Sequence, residues 1–232
     1  MEIGFDVIGG LDLSPDEEFD WENKATSLYC IITGNISSDI DTVIKTLLKL
    51  SQHYQGVFYN LGTLEYTGVI DSNQRTHELL EICKKIPRIA VLHHHVVIID
   101  GVAIIGANGW EQNSIIHEIY ASHYRRLKYE DIAYLSKSIE KLQKYLDVRK
   151  IIVVSNAVPN KNLYFGQAPD HVADDPVHLD YCLNNDTEMK VTHWAFGTYD
   201  KEVDTKISNI NYISNPYTKS QPYWAKRIKI EI

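Results

Sequence analysis

The chain has 232 residues, 44% of them hydrophobic, and its 31 Asp and Glu against 23 Lys and Arg give a formal net charge of −8. This composition is typical of an ordinary globular protein and excludes a disordered or collagen-like chain. Nucleic-acid binding is disfavoured, because phosphate contacts need clustered cations and the sequence has no run of Lys or Arg.

The first part of the chain predicts strands that alternate with a helix. Apolar residues repeat at helical spacing between Ile40 and Leu48, and Ser37 or Ser38 is available as the helix N-cap. Short apolar runs predict strands on both sides of this helix, over Glu2–Ile8, Leu28–Thr33 and Gly56–Leu61. The last two strands and the helix between them form a β-α-β unit.

The middle of the chain predicts a second helix and then a hairpin. The helix covers Gln74–Lys85 and is ended by Pro87. Two apolar runs, Val96–Ile99 and Val102–Ile105, flank Asp100-Gly101, a dipeptide that favours a two-residue turn because its glycine tolerates positive φ.

The second half predicts one long helix followed by a β-rich end. The helix covers Glu130–Leu146, with Leu146 on its buried side, and a fully buried strand follows over Ile151–Ser155. Further short strands are predicted over Lys190–Phe196, Val203–Ile207, Asn211–Ile213 and Ala225–Ile230. No repeat or linker divides the chain, so we expect one α/β domain over residues 1–232.

Short sequence patterns follow five of the predicted strands. In chain order they are Gly10-Leu11-Asp12, Gly34-Asn35, Gly62-Thr63-Leu64-Glu65, Asn156, and Gly197-Thr198-Tyr199-Asp200. Their order and positions resemble the five signatures of the calcineurin-like metallophosphoesterases, and the resemblance runs from Phe5 to nearly the C-terminus. It implies a four-layer α/β/β/α sandwich, in which two mixed sheets pack face to face with helices outside.

The family's signatures supply metal ligands, and in this sequence the ligand types are replaced. In place of Asp-x-His, Gly-Asp, Gly-Asn-His-Glu, a lone His and Gly-His-x-His, the ligand positions hold Gly10, Asp12, Asn35, Thr63, Leu64, Asn156, Thr198 and Asp200. The family's chemistry needs two divalent ions about 3.5 to 4 Å apart. Since losing even a residue behind the ligands costs about 10 to 100-fold in affinity or activity, replacement of the whole set predicts no metal, no catalytic residue and no enzymatic activity.

Two alternatives stay open for the same positions. Asp12 and Asp200, with the amide oxygens of Asn35 and Asn156, could hold one Mg²⁺ or Ca²⁺ weakly, which would make the chain a metal-dependent phosphoesterase with a relocated or mononuclear site. Alternatively, the cleft binds a phosphate or nucleotide without metal. Without any ligand, these polar side chains would be solvated loop ends or would hydrogen-bond one another.

We therefore expect a pseudoenzyme, a phosphoesterase-like fold that serves as a protein-binding or structural assembly module, either phage-encoded or virion-associated. Its partner would be another protein or further copies of the chain. Tyrosine is enriched at interfaces, and aromatic residues crowd one helical region, namely Trp110, Tyr120, Tyr124, Tyr129 and Tyr134. The alternative is that these residues form a wet rim of the core.

The sequence also predicts where the protein resides. No stretch approaches the roughly 18 to 20 uninterrupted apolar residues of a membrane helix, and no signal-peptide pattern is present. The three cysteines, Cys30, Cys83 and Cys182, are too far apart for a CxxC metal site and odd in number, which disfavours a disulfide framework. We expect a cytoplasmic protein, or one assembled from the cytosol into a virion or another large complex.

Overall fold

The structure is a computed structural model that describes residues 2–110, 118–164, 177–219 and 222–232, without the side chains of 118–121. Its α-helices are α1 (Ile40–His53), α2 (Ser72–Cys83) and α3 (Glu118–Gln143). The first strands are β1 (Glu2–Ile8), β2 (Tyr29–Ile32), β3 (Gly56–Tyr59), β4 (Ile89–Val91), β5 (Val96–Ile99) and β6 (Val102–Ala107). The later strands are β7 (Lys150–Ser155), β8 (Val191–Phe196), β9 (Val203–Ile207), β10 (Ile210–Ser214) and β11 (Lys226–Glu231). Short 3₁₀ helices cover Leu64–Tyr66, Lys161–Leu163 and Leu179–Asn185.

The strands form two mixed sheets. The five-stranded sheet has the order β11-β1-β2-β3-β4, and the six-stranded sheet has the order β5-β6-β7-β8-β10-β9. Strands β1 to β4 are parallel to one another, as are β6, β7, β8 and β10, while β11, β5 and β9 are antiparallel to their neighbours. The carboxyl ends of the parallel strands therefore lie at one edge of each sheet.

Three layers of apolar side chains lie between the four layers of secondary structure, which are helices, sheet, sheet and helix. The layer between the sheets contains Phe5 and Ile31 from one sheet and Ile104 and Val154 from the other. A second layer joins α1 and α2 to the five-stranded sheet, and a third joins α3 to the six-stranded sheet through residues such as Leu135. The predicted α/β/β/α sandwich of two mixed sheets is confirmed. Among the described residues, no helix is long and apolar enough to cross a membrane.

The two sheets meet at the end where the strand-end loops lie. Gly9, directly after β1, forms a bridge to Pro216, which follows β10 in the other sheet, and the N–H of Gly9 donates to the carbonyl of Asn215 at 3.2 Å. This link between sheets brings the loops after β1, β2, β3, β7 and β8 to one end of the molecule.

Several elements differ from the sequence predictions in ways that local interactions explain. The N-cap of α1 is Asp39, whose carboxylate accepts from the N–H of Thr42 at 2.8 Å, and neither serine takes that role. Helix α3 begins before the predicted start and ends at Gln143, so Leu146 lies beyond the helix and is exposed instead of buried. Strand β4 is too short, at three residues, to stand out as an apolar run.

Candidate functional site: the loop cluster at the strand ends

The candidate site is the group of loops that follow β1, β2, β3, β7 and β8, called here the loop cluster. Hydrogen bonds join Asn35, Thr63, Leu64, Asn156 and Thr198 within it. The five sequence patterns thus converge as the resemblance implies, although they come from positions far apart in the chain.

Asn156, directly after β7, is the hub of the cluster. Its side chain is fully buried, its Nδ2 donates to the carbonyl of Thr33 at 3.2 Å, and its Oδ1 accepts from the N–H of Thr63 at 3.1 Å. Its own carbonyl accepts from the N–H groups of Gly197 at 3.0 Å and Thr198 at 2.7 Å. One asparagine therefore connects the loops after β2, β3 and β8, and its polar atoms are engaged in holding them.

Glu65 is a second hub, and it is buried without a cation among its hydrogen-bond partners. Its Oε1 accepts from Ile36 N–H at 2.8 Å and from the Tyr59 hydroxyl at 2.7 Å. Its Oε2 accepts from Asn35 N–H at 3.2 Å and Gly62 N–H at 3.1 Å. Burial raises the pKa of this carboxyl, against the lowering effect of the Ile36 and Tyr59 hydrogen bonds. This glutamate belongs to the third sequence pattern, which does not by itself indicate a role for it.

The loops after β2 and β3 are in close contact. A Cβ at Gly62 would stand 2.2 Å from the backbone nitrogen of Asn35 and 2.4 Å from its Oδ1, while that same Oδ1 accepts from the N–H of Leu64 at 3.0 Å. Asn35 has φ of 55°, a left-handed conformation that asparagine tolerates. The second and third patterns are therefore held against each other by close backbone contact and by a hydrogen bond.

The remaining carboxylates do not form a ligand set. Asp12 is bound to the cluster through its backbone, since its N–H donates to Asn35 carbonyl at 3.0 Å. Asp12 and Asp200 are both exposed residues. Loss of water around the Asp12 carboxyl raises its pKa, against the lowering effect of the Lys219 cation. The oxygen of Gly10 accepts from Tyr217 N–H at 3.1 Å, so this position serves as a backbone contact.

The residues present do not fit the pair of metal ions that the resemblance implies. Amide oxygens of Asn35 and Asn156 already accept hydrogen bonds, and Thr63 and Leu64 supply no carboxylate or imidazole. Among residues 2–110, 118–164, 177–219 and 222–232, no group of three or more His, Cys, Asp or Glu side chains could hold a metal ion. A two-ion site also needs enough negative charge to neutralise four positive charges, and two separate exposed carboxylates do not supply it.

The predicted interface residues fall into different environments. Trp110 is buried, with its ring 4.8 Å from that of Tyr66 and 5.4 Å from that of Tyr124, so it belongs to the core and offers no exposed surface. Tyr134 stacks on His94 at 4.6 Å. Tyr129 is half-exposed, and the side chain of Tyr120 lies outside the described residues. The interface itself stays a prediction, now centred on Tyr129.

A hydrogen bond between His94 and the buried carboxylate of Asp131 lies outside the loop cluster, and no sequence pattern predicts it. Asp131, on α3, accepts from His94 Nε2 at 2.6 Å and from the N–H of Gly109 at 2.7 Å. His94 has φ of 48°, so this contact holds a strained residue in place. The pair is 37 residues apart in sequence, and only the docking of α3 on the six-stranded sheet brings it together.

Comparisons with known proteins identify the fold. No family model and no curated protein matches the sequence. The chain is similar to the phosphopantetheinyl hydrolase PptH from Mycobacterium tuberculosis, with a TM-score of 0.60 and 11% identity over 86% of this chain and 85% of that one. It is also similar to a putative 5′-nucleotidase from Staphylococcus aureus, with a TM-score of 0.57 and 11% identity over 100% of this chain and 51% of that one. A third neighbour is GAP50, described as the anchor in the inner membrane complex of Plasmodium, with a TM-score of 0.57 and 12% identity over 93% of this chain and 71% of that one.

These likenesses establish a metallophosphoesterase-like fold, and they correct one prediction. Two of the neighbours are hydrolases by name, so the fold is an enzyme fold, and the prediction that the chain is not an enzyme is contradicted. Replacing the ligand types at one set of positions does not by itself establish that a hydrolase fold has lost activity. That these positions once held metal ligands stays a prediction.

Proposed function

We propose that this chain is a protein-binding module that uses a phosphoesterase-like fold to take part in a larger assembly. The observation that carries the proposal is a shallow surface groove of about 510 Å³ on the outer side of α3, called here the α3 groove. Its lining residues lie within three turns of that helix, and they are Ser122, Arg125, Arg126, Tyr129, Glu130 and Ala133.

The α3 groove has the chemistry of a protein interface. Tyrosine and arginine are the residue types that most often dominate binding energy, because they combine large contact area with a polar end. Tyr129 is 50% exposed, and the neighbouring Arg126 forms an ion pair with Glu130 one turn along the helix. An aromatic ring beside fixed charges fits a partner surface that carries both an apolar side chain and acidic groups.

Two further observations support a binding role. The hubs of the loop cluster, Asn156 and Glu65, tie the strand-end loops of the two sheets together, and α3 packs on one of these sheets. Rigid scaffolds reduce the entropy lost on association. One fold neighbour, GAP50, is described as an anchor, and anchoring is therefore a role that this fold takes in at least one other protein.

The test is capture of a partner by the full chain from its native source. We expect Tyr129→Ala to lower the recovered partner by at least about ten-fold, since truncation of a central aromatic residue costs about 2 kcal/mol or more. The matched control is Tyr145→Ala, which removes a tyrosine that is 45% exposed and lies beyond the end of α3. Equal recovery with both variants, at unchanged melting temperatures, would contradict the proposal.

A second candidate function is hydrolysis of a phosphoester. The two hydrolase neighbours favour it, and so does Asp12, whose carboxyl lies at the strand ends and has a raised pKa. The binding proposal predicts that protein purified without chelator holds well below one equivalent of Mg, Mn, Fe or Zn, because the donor set does not fit these ions.

The same purified protein distinguishes the two candidates. If the second candidate holds, one bound cation and phosphodiester hydrolysis are both lost in Asp12→Asn, which removes the charge and tolerates the φ of 45° at this position. The control is Asp16→Asn, an exposed aspartate with a similar φ of 59°. Metal and turnover that depend on Asp12 but not on Asp16 would replace the binding proposal with the hydrolase.

A further inference from the structure

We infer that strand β5 is a self-association surface, at which a second copy of this chain adds its own β5 in antiparallel orientation. The inference deepens the proposed binding function by naming one partner, and it rests on that function. It concerns a sheet edge on the side of the sandwich that carries β4 and β5, and not the α3 groove.

On one side of the sandwich, the edge strands carry charged side chains. There β9 is the edge of one sheet and β11 is the edge of the other. Lys226 on β11 lies 2.8 Å from Asp204 on β9 and 3.0 Å from Glu202. Lys229 on β11 lies 3.0 Å from Glu2. Charged side chains on edge strands prevent the pairing of one molecule with another.

The opposite side lacks such charges on its edge strands. Strands β4 and β5 are the edges there, and every residue in them is apolar, namely Ile89, Ala90, Val91, Val96, Val97, Ile98 and Ile99. None of these residues is fully buried, and Ile98 is 49% exposed. An apolar edge with outward backbone groups is a template for a further strand.

The hairpin register shows which backbone groups face outward. Asp100 and Gly101 have φ of 47° and 82°, as a type I′ turn requires, and Ile99 lies opposite Val102. The pair beside such a turn exchanges both its hydrogen bonds, and bonding alternates along antiparallel strands. The N–H and C=O groups of Ile98, and of Val96 two residues before it, therefore point away from β6.

Two copies of β5 can satisfy these groups at once. If Val97 lies opposite its own copy across a two-fold axis, Val96 of each copy lies opposite Ile98 of the other, and about four backbone hydrogen bonds form. The six-stranded sheet of each copy then continues into that of its partner.

The ends of β5 favour a second copy as the occupant. Three histidines at 93–95 precede the strand and Asp100 follows it, and both His95 and Asp100 are exposed. Antiparallel pairing brings the histidine end of one copy beside the Asp100 end of the other, so the exposed imidazole of His95 lies near a carboxylate. The strand itself is uncharged, and no like charges oppose each other across the pair.

The test is sedimentation velocity of the full chain over about two decades of concentration, since dimer population follows mass action. We expect the wild type to form a species of twice the 26.6 kDa chain mass. Ile98→Lys places a charge on the edge and should raise the dissociation constant at least about ten-fold. Ile98→Pro removes the outward N–H, which an edge strand tolerates, and should act in the same direction.

The matched control is Ile207→Lys, which makes the same change at an isoleucine that is 43% exposed. This isoleucine lies on β9, an edge strand that carries charged side chains. It should leave the dimer unchanged. A wild type that is monomeric throughout, or equal weakening by Ile98→Lys and Ile207→Lys at unchanged melting temperatures, would overturn the inference. If capture of a partner through Tyr129 persists in that case, only the self-association fails; if capture also fails, the proposed function fails with it.

Discussion

Glu65→Leu is expected to lower the free energy of unfolding by more than about 4 kcal/mol, a large part of the 5 to 15 kcal/mol that typically stabilises a domain. The buried carboxylate accepts from three backbone N–H groups, those of Asn35, Ile36 and Gly62, and from the hydroxyl of Tyr59. Leucine leaves all four donors buried without an acceptor, at about 1 to 3 kcal/mol each before relaxation. Urea unfolding followed by circular dichroism measures the loss.

A second substitution at the same site separates hydrogen bonding from packing. Glu65→Gln keeps the shape and one acceptor oxygen, but its NH₂ group faces N–H donors, so we expect a smaller loss of about 2 kcal/mol. The control is Glu78→Gln on the exposed face of α2, where the change should stay within about 0.5 kcal/mol. A Glu65→Leu protein as stable as the wild type would show that the carboxylate does not hold the loops.

Gly62→Ala is expected to destabilise the chain by about 3 kcal/mol, at the upper end for overpacking. The added Cβ would stand 2.2 Å from the backbone nitrogen of Asn35 and 2.9 Å from Nδ2 of Asn156. Neither atom can move alone, since Asn35 N–H is bound to Glu65 and Asn156 Nδ2 to Thr33. Relief therefore requires the loops after β2 and β3 to separate.

The control for Gly62→Ala is Gly68→Ala. An added Cβ at Gly68 meets nothing within 4 Å, but its φ of 75° is unfavourable for alanine. We expect a cost of about 1 to 2 kcal/mol there, from backbone strain alone. Thermal melts of both variants, measured beside the wild type, test the difference. A Gly62→Ala protein that is no less stable than Gly68→Ala would contradict the close contact between the two loops.

Much of the fold follows from local sequence signals. The Asp100-Gly101 hairpin is correctly predicted because both turn residues must adopt positive φ. Aspartate and glycine are residue types that tolerate this conformation. Strand β1 has the predicted bounds because Ile3, Phe5 and Val7 alternate along it and share one face, which packs in the core between the sheets. Helix α3 begins at Glu118, before the predicted start at Glu130, and it ends at Gln143, before Leu146. Its early turns pack against the other core layer through Leu127, a contact that no local period reveals.

The loop cluster is only partly predictable. Parallel strands place their carboxyl ends together, so the convergence of the five patterns follows from strand order. The bonds of Asn156 to Thr33 and Thr63 cross 123 and 93 residues and depend on how the two sheets face each other. The four donors that meet Glu65 come from strand β3 and from the loops after β2 and β3, whose relative positions are set by the pairing of β2 with β3. The spacing of residues in the sequence does not predict these contacts.

The most direct test of the binding proposal is side-chain footprinting by hydroxyl radicals. It compares side-chain reactivity in the chain as isolated from its native source with that in the chain purified alone. We expect Tyr129 in the α3 groove to react several-fold more slowly in the isolated assembly. Tyr145, with a similar exposed fraction of 45%, should react equally in both samples. Equal reactivity of Tyr129 in the two samples would contradict a protein partner at this groove.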